Sequence, residues 1–143
     1  MGTTYLDLVY LHDTEFVAEK VGSGQDSGFA AAQAVKQSAQ GAQIRQSLGL
    51  DDSQAPDFCG SGDIALLAAV PELRIPKDEG RICRAGITGY PLLALLKLSR
   101  LVAIIASYQP LDAVLSCFNF TLHSDLLPRY AELFREEPSS RGK

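Results

Sequence analysis

Apolar residues in this chain gather in short dense runs that alternate with longer periodic ones. The first run is Tyr5–Asp13, Tyr-Leu-Asp-Leu-Val-Tyr-Leu followed by His and Asp. Its length and its Leu, Val and Tyr content predict a parallel strand buried on both faces. Period two sets Leu6, Leu8, Tyr10 and His12 on one face, and Tyr5, Asp7, Val9 and Leu11 on the other. Ile82–Ile87 and Leu111–Cys117 read as a second and a third strand of the same kind. Between and after them run helical patterns. One passes through Ile64, Leu67, Ala68, Val70 and Leu73, with Ser61 or Asp63 as its cap. A second begins at Pro91, suited to a first helical turn, and continues through Leu92, Leu95, Leu96, Leu98, Leu101, Val102 and Ile105. A third is Asp125–Arg135, with Leu126, Leu127, Tyr130, Leu133 and Phe134 on one stripe.

Two prolines break into the first helical pattern. Pro71 removes a hydrogen bond at a cost of roughly 3 kcal/mol, and Pro76 is expected to end the helix, with Gly80 as the stop behind it. Strand and helix thus alternate three times. That order predicts parallel pairing through right-handed crossovers. The units do not repeat in sequence, so a solenoid is not expected.

The stretch between the first strand and the first helix departs from this economy. Thr14–Val21 leads to Gly22, Ser23 and Gly24. With Gly28 they give G-x-G-x-x-x-G, one residue longer than a dinucleotide fingerprint, and a flexible loop is the expectation. Phe29–Leu48 is rich in Ala and Gln but carries only sparse apolar residues, Phe29, Val35, Ile44 and Leu48. A surface helix and a partly disordered insert fit it equally. Gly49–Gly60 is a polar linker. Residues 21–60 therefore form an insert of about forty residues, long for a connection of this type. Tyr108–Pro110 reads as a turn, Phe118–Ser124 as a loop, and the polar tail Glu136–Lys143 as frayed.

Composition narrows the function classes. The 143 residues suit one domain, and 46% apolar with 21% charged residues is ordinary for a soluble globular chain. A net charge of −4 with both signs interspersed argues against a nucleic-acid partner, which calls for a basic face. Cys59, Cys83 and Cys117 have no metal-like spacing, and no metal site is expected. Their odd number, without a signal peptide, points to buried thiols in a reducing compartment. The most apolar stretch, Leu92–Ser107, contains Lys97 and Arg100 and falls short of the ~20 residues of a membrane span. A cytoplasmic protein is the expectation. The polar pair at the end of the first strand stands where α/β folds place chemistry.

Three stretches resemble the aldo-keto reductase family. Thr4–Asp13 is similar to the family's fourth barrel strand, which ends in a catalytic His. Glu72–Tyr90 resembles a helix ending in Lys-x-x-Gly, followed by the fifth strand. Leu111–Asn119 is similar to the sixth. Leu-His-Asp-Thr-Glu-Phe-Val, Gly-Ile-Thr-Gly-Tyr-Pro-Leu and Leu-Asp-Ala-Val-Leu-Ser most resemble the D-arabinose 1-dehydrogenase and L-galactose dehydrogenase branch in its fungal form. The likeness covers roughly Gly2–Phe16 and Ile64–Glu136.

The resemblance implies a fold and a chemistry. Residues 1–143 would be a single incomplete domain, a partial (β/α)8 TIM barrel holding strands four to six of an architecture of ~250 residues. The family reaction is NAD- or NADP-dependent oxidation of an aldose to its lactone, or the reverse carbonyl reduction. Sugar and nicotinamide nucleotide would be the partners. His12 falls at the catalytic position that orients the substrate carbonyl, and a strand-end His held by a backbone carbonyl is the plain alternative. Thr88 falls at a cofactor-binding Ser position, Gly89 at an Asn position that it cannot match with a side chain, and Ser116 at a Gln position. The family's Asp, Tyr and Lys have no counterpart in this chain, so little or no turnover is expected of it alone. Tyr10 and Tyr90 read as packing residues, His123 and Asp125 as solvent-facing or capping ones. Three strands cut from a barrel leave open edges and a half-exposed inner face, which predicts marginal stability and self-association. The competing reading is a non-catalytic remnant or a binding and assembly module.

Overall fold

The computed structural model describes residues 2, 4–18, 60–104 and 109–135. Within them the elements follow in the order β1 (Leu6–Leu11), a 3-10 turn (Thr14–Phe16), α1 (Ser61–Asp78), β2 (Ile82–Gly89), α2 (Leu92–Ile104), β3 (Ala113–Ser116) and α3 (Leu126–Arg135). The three strands make a mixed α/β fold with one parallel sheet in the order β1-β2-β3. Parallel pairing is what the alternation of strands and helices predicts. The described strands form an open sheet rather than a closed barrel. The glycine-rich loop, the Ala- and Gln-rich segment, the polar linker up to residue 59, Tyr108 and the polar tail lie outside the described residues.

Register decides which side chains share a face. Leu8 pairs with Arg84, Tyr10 with Gly86 and Leu11 with Ile87, while Ile87 pairs with Val114 and Thr88 with Leu115. Leu11, Ile87 and Val114 therefore lie on one face. They pack with Leu95 and Leu98 of α2. Leu6, Leu8, Tyr10 and Leu115 lie on the other face. No described helix covers them, and Leu6 is 48% and Leu8 37% exposed. A β1 buried on both faces was the expectation from its unbroken apolar run, and the structure corrects it. Apolar content alone does not supply a covering layer.

The core lies on the helix side. Leu67 and Val70 of α1 meet Leu101 and Val102 of α2. Leu92 and Leu96 of α2 meet Tyr130 and Leu133 of α3. Each such side chain contributes about 1.5–3 kcal/mol by leaving water. This burial explains the second correction. α1 continues through Pro71 and Pro76 to Asp78, although Pro76 is expected to end it. Its packed face outweighs the two missing hydrogen bonds. Gly60, not Ser61, is the N-cap. Asp63 accepts its amide at 3.4 Å from the third helical position. Gly62 lets this first turn sit against the Val17 carbonyl, which a Cβ would overlap.

The last turns of α1 are tied to the segment before β3. Arg74 donates to the Gln109 carbonyl, and Lys77 reaches Asp112 at 2.5 Å. Asp112 also exchanges backbone and side-chain bonds with Ala85, at 3.0 and 2.8 Å. Burial pushes its carboxyl up. The Lys77 and Ala85 hydrogen bonds outweigh that and hold it below the usual Asp value. Cys83 and Cys117 are exposed free thiols. Both sit on strand ends or edges rather than in the helix-side core, against the expectation of burial. Cys59 lies outside the described residues.

Candidate strand-end site

His12 follows the last residue of β1, one position beyond the Leu11–Ile87 pair, level with Thr88. Its side chain is 75% exposed, and Nδ1 lies 2.8 Å from Asp13 Oδ1. Asp13 adopts φ 56°, a left-handed conformation that a short polar residue tolerates. That reversal turns the chain into the 3-10 turn Thr14–Phe16, back over the end of β2.

Two residues of this turn fasten it there. Thr14 is buried and its hydroxyl donates to the Thr88 carbonyl at 3.3 Å. Glu15 Oε1 accepts the Tyr90 amide at 2.8 Å. Its other oxygen, Oε2, is buried without a hydrogen-bond partner among the described residues. The carboxylate occupies the space where a side chain at position 89 would stand, and a Cβ on Gly89 would overlap it. A side chain at position 89 would displace the Glu15 carboxylate from this place.

Thr88 and Gly89 end β2, both buried. Ser116 ends β3, paired in register with Gly89. Its hydroxyl donates to the Tyr90 carbonyl at 3.2 Å. Asn119 joins it. Its amide nitrogen lies 2.9 Å from the Tyr90 carbonyl, 3.0 Å from the Cys117 carbonyl and 2.5 Å from Ser116 Oγ. Its backbone carbonyl accepts the Leu127 amide at 2.7 Å, near the start of α3. The rings of Tyr90 and Phe118 meet at a tilt of 38°, with centroids 5.7 Å apart. Tyr90 thus packs on the rim. His123 is solvent-facing, and Asp125 pairs with Arg129 at 2.6 Å at the head of α3.

The four residues singled out by sequence, His12, Thr88, Gly89 and Ser116, stand at the carboxyl ends of three adjacent parallel strands. Thr88 is held through its carbonyl and Ser116 through its hydroxyl, whereas the His12 imidazole faces solvent. Thr14, Glu15 and Asn119 escaped the sequence reading. One signal pointed to Glu15. A glycine where a side chain is expected leaves a space that some other group must fill. The exposed Phe16, Phe118, Phe120 and Leu122 border this end. The strand-end segments 12–18, 90–91 and 117–125 contain no Lys or Arg. Among the described residues no cluster of His, Cys, Asp or Glu could hold a metal ion, and no helix is long and apolar enough to cross a membrane. A small cleft lined by Val70, Lys77, Ala85 and Asp112 opens towards the start of β3, away from the strand ends.

The chain is similar to D-arabinose 1-dehydrogenase of Saccharomyces cerevisiae, 31% identical over 133 residues, or 92% of this chain. It spans 27% of the length of that relative. No protein-family model matches the chain. No solved structure matches it.

Proposed function

We propose that this chain carries part of the strand-end site of a nicotinamide-dependent oxidoreductase of the aldo-keto reductase kind, acting on an aldose such as D-arabinose. The observation that carries this reading is the convergence of His12, Thr88, Gly89 and Ser116 at one end of a parallel sheet. The likeness to a D-arabinose 1-dehydrogenase adds to it. In this reading β1, β2 and β3 are three neighbouring strands of a (β/α)8 barrel, and residues 21–60 are an insert between the first strand and its helix.

The residues fit one end of a nicotinamide nucleotide. A carboxamide both donates and accepts hydrogen bonds. Glu15 Oε2, the acceptor left without a partner among the described residues, matches its N–H in kind. Among the described residues the strand-end segments 12–18, 90–91 and 117–125 offer no cation to the phosphates, and the reading leaves NAD and NADP undistinguished. A bound nicotinamide supplies hydride transfer. His12 orients the sugar oxygen by a hydrogen bond and narrows the reactive geometry. The acid, cation and carboxylate roles of the family reaction have no residue in this chain, which alone gives little or no turnover.

Calorimetric titration with NADP+ and NAD+, paired with an assay of D-arabinose oxidation, tests this. Saturable nucleotide binding, with any residual turnover removed by His12→Ala, is the expected result. Absence of both binding and turnover sinks the reading. It would favour a non-catalytic remnant or assembly module. Two observations favour that second reading: Ser116 and Asn119 already spend their polar groups on the Tyr90 carbonyl, and Leu6, Leu8 and Leu115 lie open beside two strand edges that no described strand pairs.

A further inference from the structure

We propose that Glu15 is a positioning residue, and that its carboxylate locks the strand end bearing His12 to the strand end bearing Thr88 and Gly89. Three observations converge on it. Glu15 Oε1 accepts the Tyr90 amide at 2.8 Å, across 75 positions of sequence. Its neighbour Thr14 donates to the Thr88 carbonyl at 3.3 Å, so one short turn holds two consecutive backbone groups of the β2 end region. The carboxylate fills the place of a side chain at Gly89. The Glu15 and Thr14 bonds are the polar ties from this turn to the end of β2, and Ala18 just beyond it packs against Ile87, Leu95 and Leu98. β1 itself is bonded to β2 only as far as Leu11.

The consequence concerns geometry, not strength alone. His12 is exposed, and among the described residues its side chain is paired only with the adjacent Asp13. Its position relative to Thr88 therefore depends on the path of residues 13–15. That path includes a left-handed residue, Asp13, which a free chain seldom holds. Glu15 holds it by a charge-assisted bond to a backbone amide, stronger than a neutral one. A carboxylate over the first residues of α2 also suits the positive end of the helix dipole. Glu15 and Gly89 are then one device: the acid supplies the lock and the glycine leaves room for it.

This inference rests on the reading that His12 and Thr88–Gly89 belong to one site, yet its test needs no nucleotide. The chain has only two histidines, His12 and His123. Their imidazole C2–H proton signals, assigned by His12→Gln, report the two loops separately. Glu15→Ala is expected to move the His12 signal and leave that of His123 in place, whereas general unfolding moves both. Glu15→Gln keeps an acceptor oxygen for Tyr90 and is expected to keep the His12 signal near its original position. Gly89→Ala is expected to move it, and Glu15→Ala/Gly89→Ala to lie close to Glu15→Ala alone, because the main clash partner has gone and only a tight contact with Thr14 Oγ1 at 3.3 Å remains. In the unsubstituted protein the Tyr90 amide is expected to exchange with solvent about tenfold or more slowly than an open loop amide. An unmoved His12 signal in Glu15→Ala, additive effects of the two substitutions, or an unprotected Tyr90 amide would each overturn the proposal. Loss of nucleotide binding with the lock intact overturns the proposed function instead.

Discussion

Asp63 on α1 and Lys97 on α2 form an ion pair sealed between the helices, with side chains 0% and 3% exposed. Neither charge reaches water. Both have left it at a cost of several kcal/mol each, which their attraction and added hydrogen bonds repay only if the pair stays whole. Asp63 also accepts the Gly60 amide and so caps α1. The pair thereby sets the approach of α1 to α2.

Breaking that pair on one side has a large expected effect. Lys97→Met removes the buried cation paired with the Asp63 carboxylate and is expected to lower unfolding stability by about 3–5 kcal/mol. Asp63→Leu/Lys97→Met removes both charges and is expected to cost less than Lys97→Met alone, even though it forfeits the Gly60 cap. Urea unfolding of the three proteins measures this directly. A near-neutral Lys97→Met would mean that the two helices part enough to admit water.

The prolines of α1 give a prediction of opposite sign. A proline inside a helix costs ~3 kcal/mol relative to alanine, of which its restriction of the unfolded chain returns ~0.4–1 kcal/mol. Pro71 and Pro76 both lie within an unbroken helix. Pro71→Ala restores a bond to the Leu67 carbonyl, and Pro76→Ala one to that of Glu72. Each is expected to stabilise the protein by roughly 2–2.5 kcal/mol, seen as a higher urea midpoint at unchanged slope. A loss of stability in either variant would mean that the helix is bent to fit its proline.

These residues also mark what a sequence can and cannot disclose. The alternation of strand and helix is written locally, in apolar runs and stripes, and the parallel sheet follows from it. The fate of α1 at Pro76 is not local. It depends on Leu67 and Val70 meeting Leu101 and Val102, more than thirty positions away. Likewise β1 and β2 share the same apolar grammar, yet β2 is central and buried while β1 is an edge with one face open. At the site, His12, Thr88, Gly89 and Ser116 are strand-end residues and could be picked out by position. Glu15 and Asn119 could not, because their roles exist only across gaps of 75 and 29 positions. Lys97 read as a charge interrupting an apolar stretch, and its partner 34 positions earlier gives it a different meaning.

The two faces of the sheet should respond differently to mutation. Leu95 lies fully buried under the helix-side face, and Leu95→Ala is expected to cost about 2–5 kcal/mol. Leu8 lies on the open face, and Leu8→Ser is expected to cost about 1 kcal/mol or less. Sedimentation run alongside the melts adds a second readout. If the open face or the unpaired edges draw copies together, Leu8→Ser shifts the distribution towards monomer. A Leu8→Ser cost as large as that of Leu95→Ala, at a concentration where the chain is monomeric, would show the face to be covered.

Tyr130 supplies a test by pH. Its ring is buried against Leu92 and Leu96, and its hydroxyl has no hydrogen-bond partner among the described residues. Burial pushes its pKa up to about 12. In the unfolded chain the phenol ionises near pH 10. Between these values the folded state keeps a proton that the unfolded state has released, so stability falls as pH rises. Below pH ~10 the contribution is fully present, and through pH ~12 it is lost, by roughly 2–3 kcal/mol in all. Tyr130→Phe keeps the ring and removes the titrating group. It also removes an unsatisfied buried hydroxyl, so its stability near neutrality is expected to equal or exceed that of the parent chain. Urea midpoints measured from pH 8 to pH 11.5 should therefore fall more steeply for the parent than for Tyr130→Phe. Identical slopes would place the phenol in contact with water and α3 away from α2.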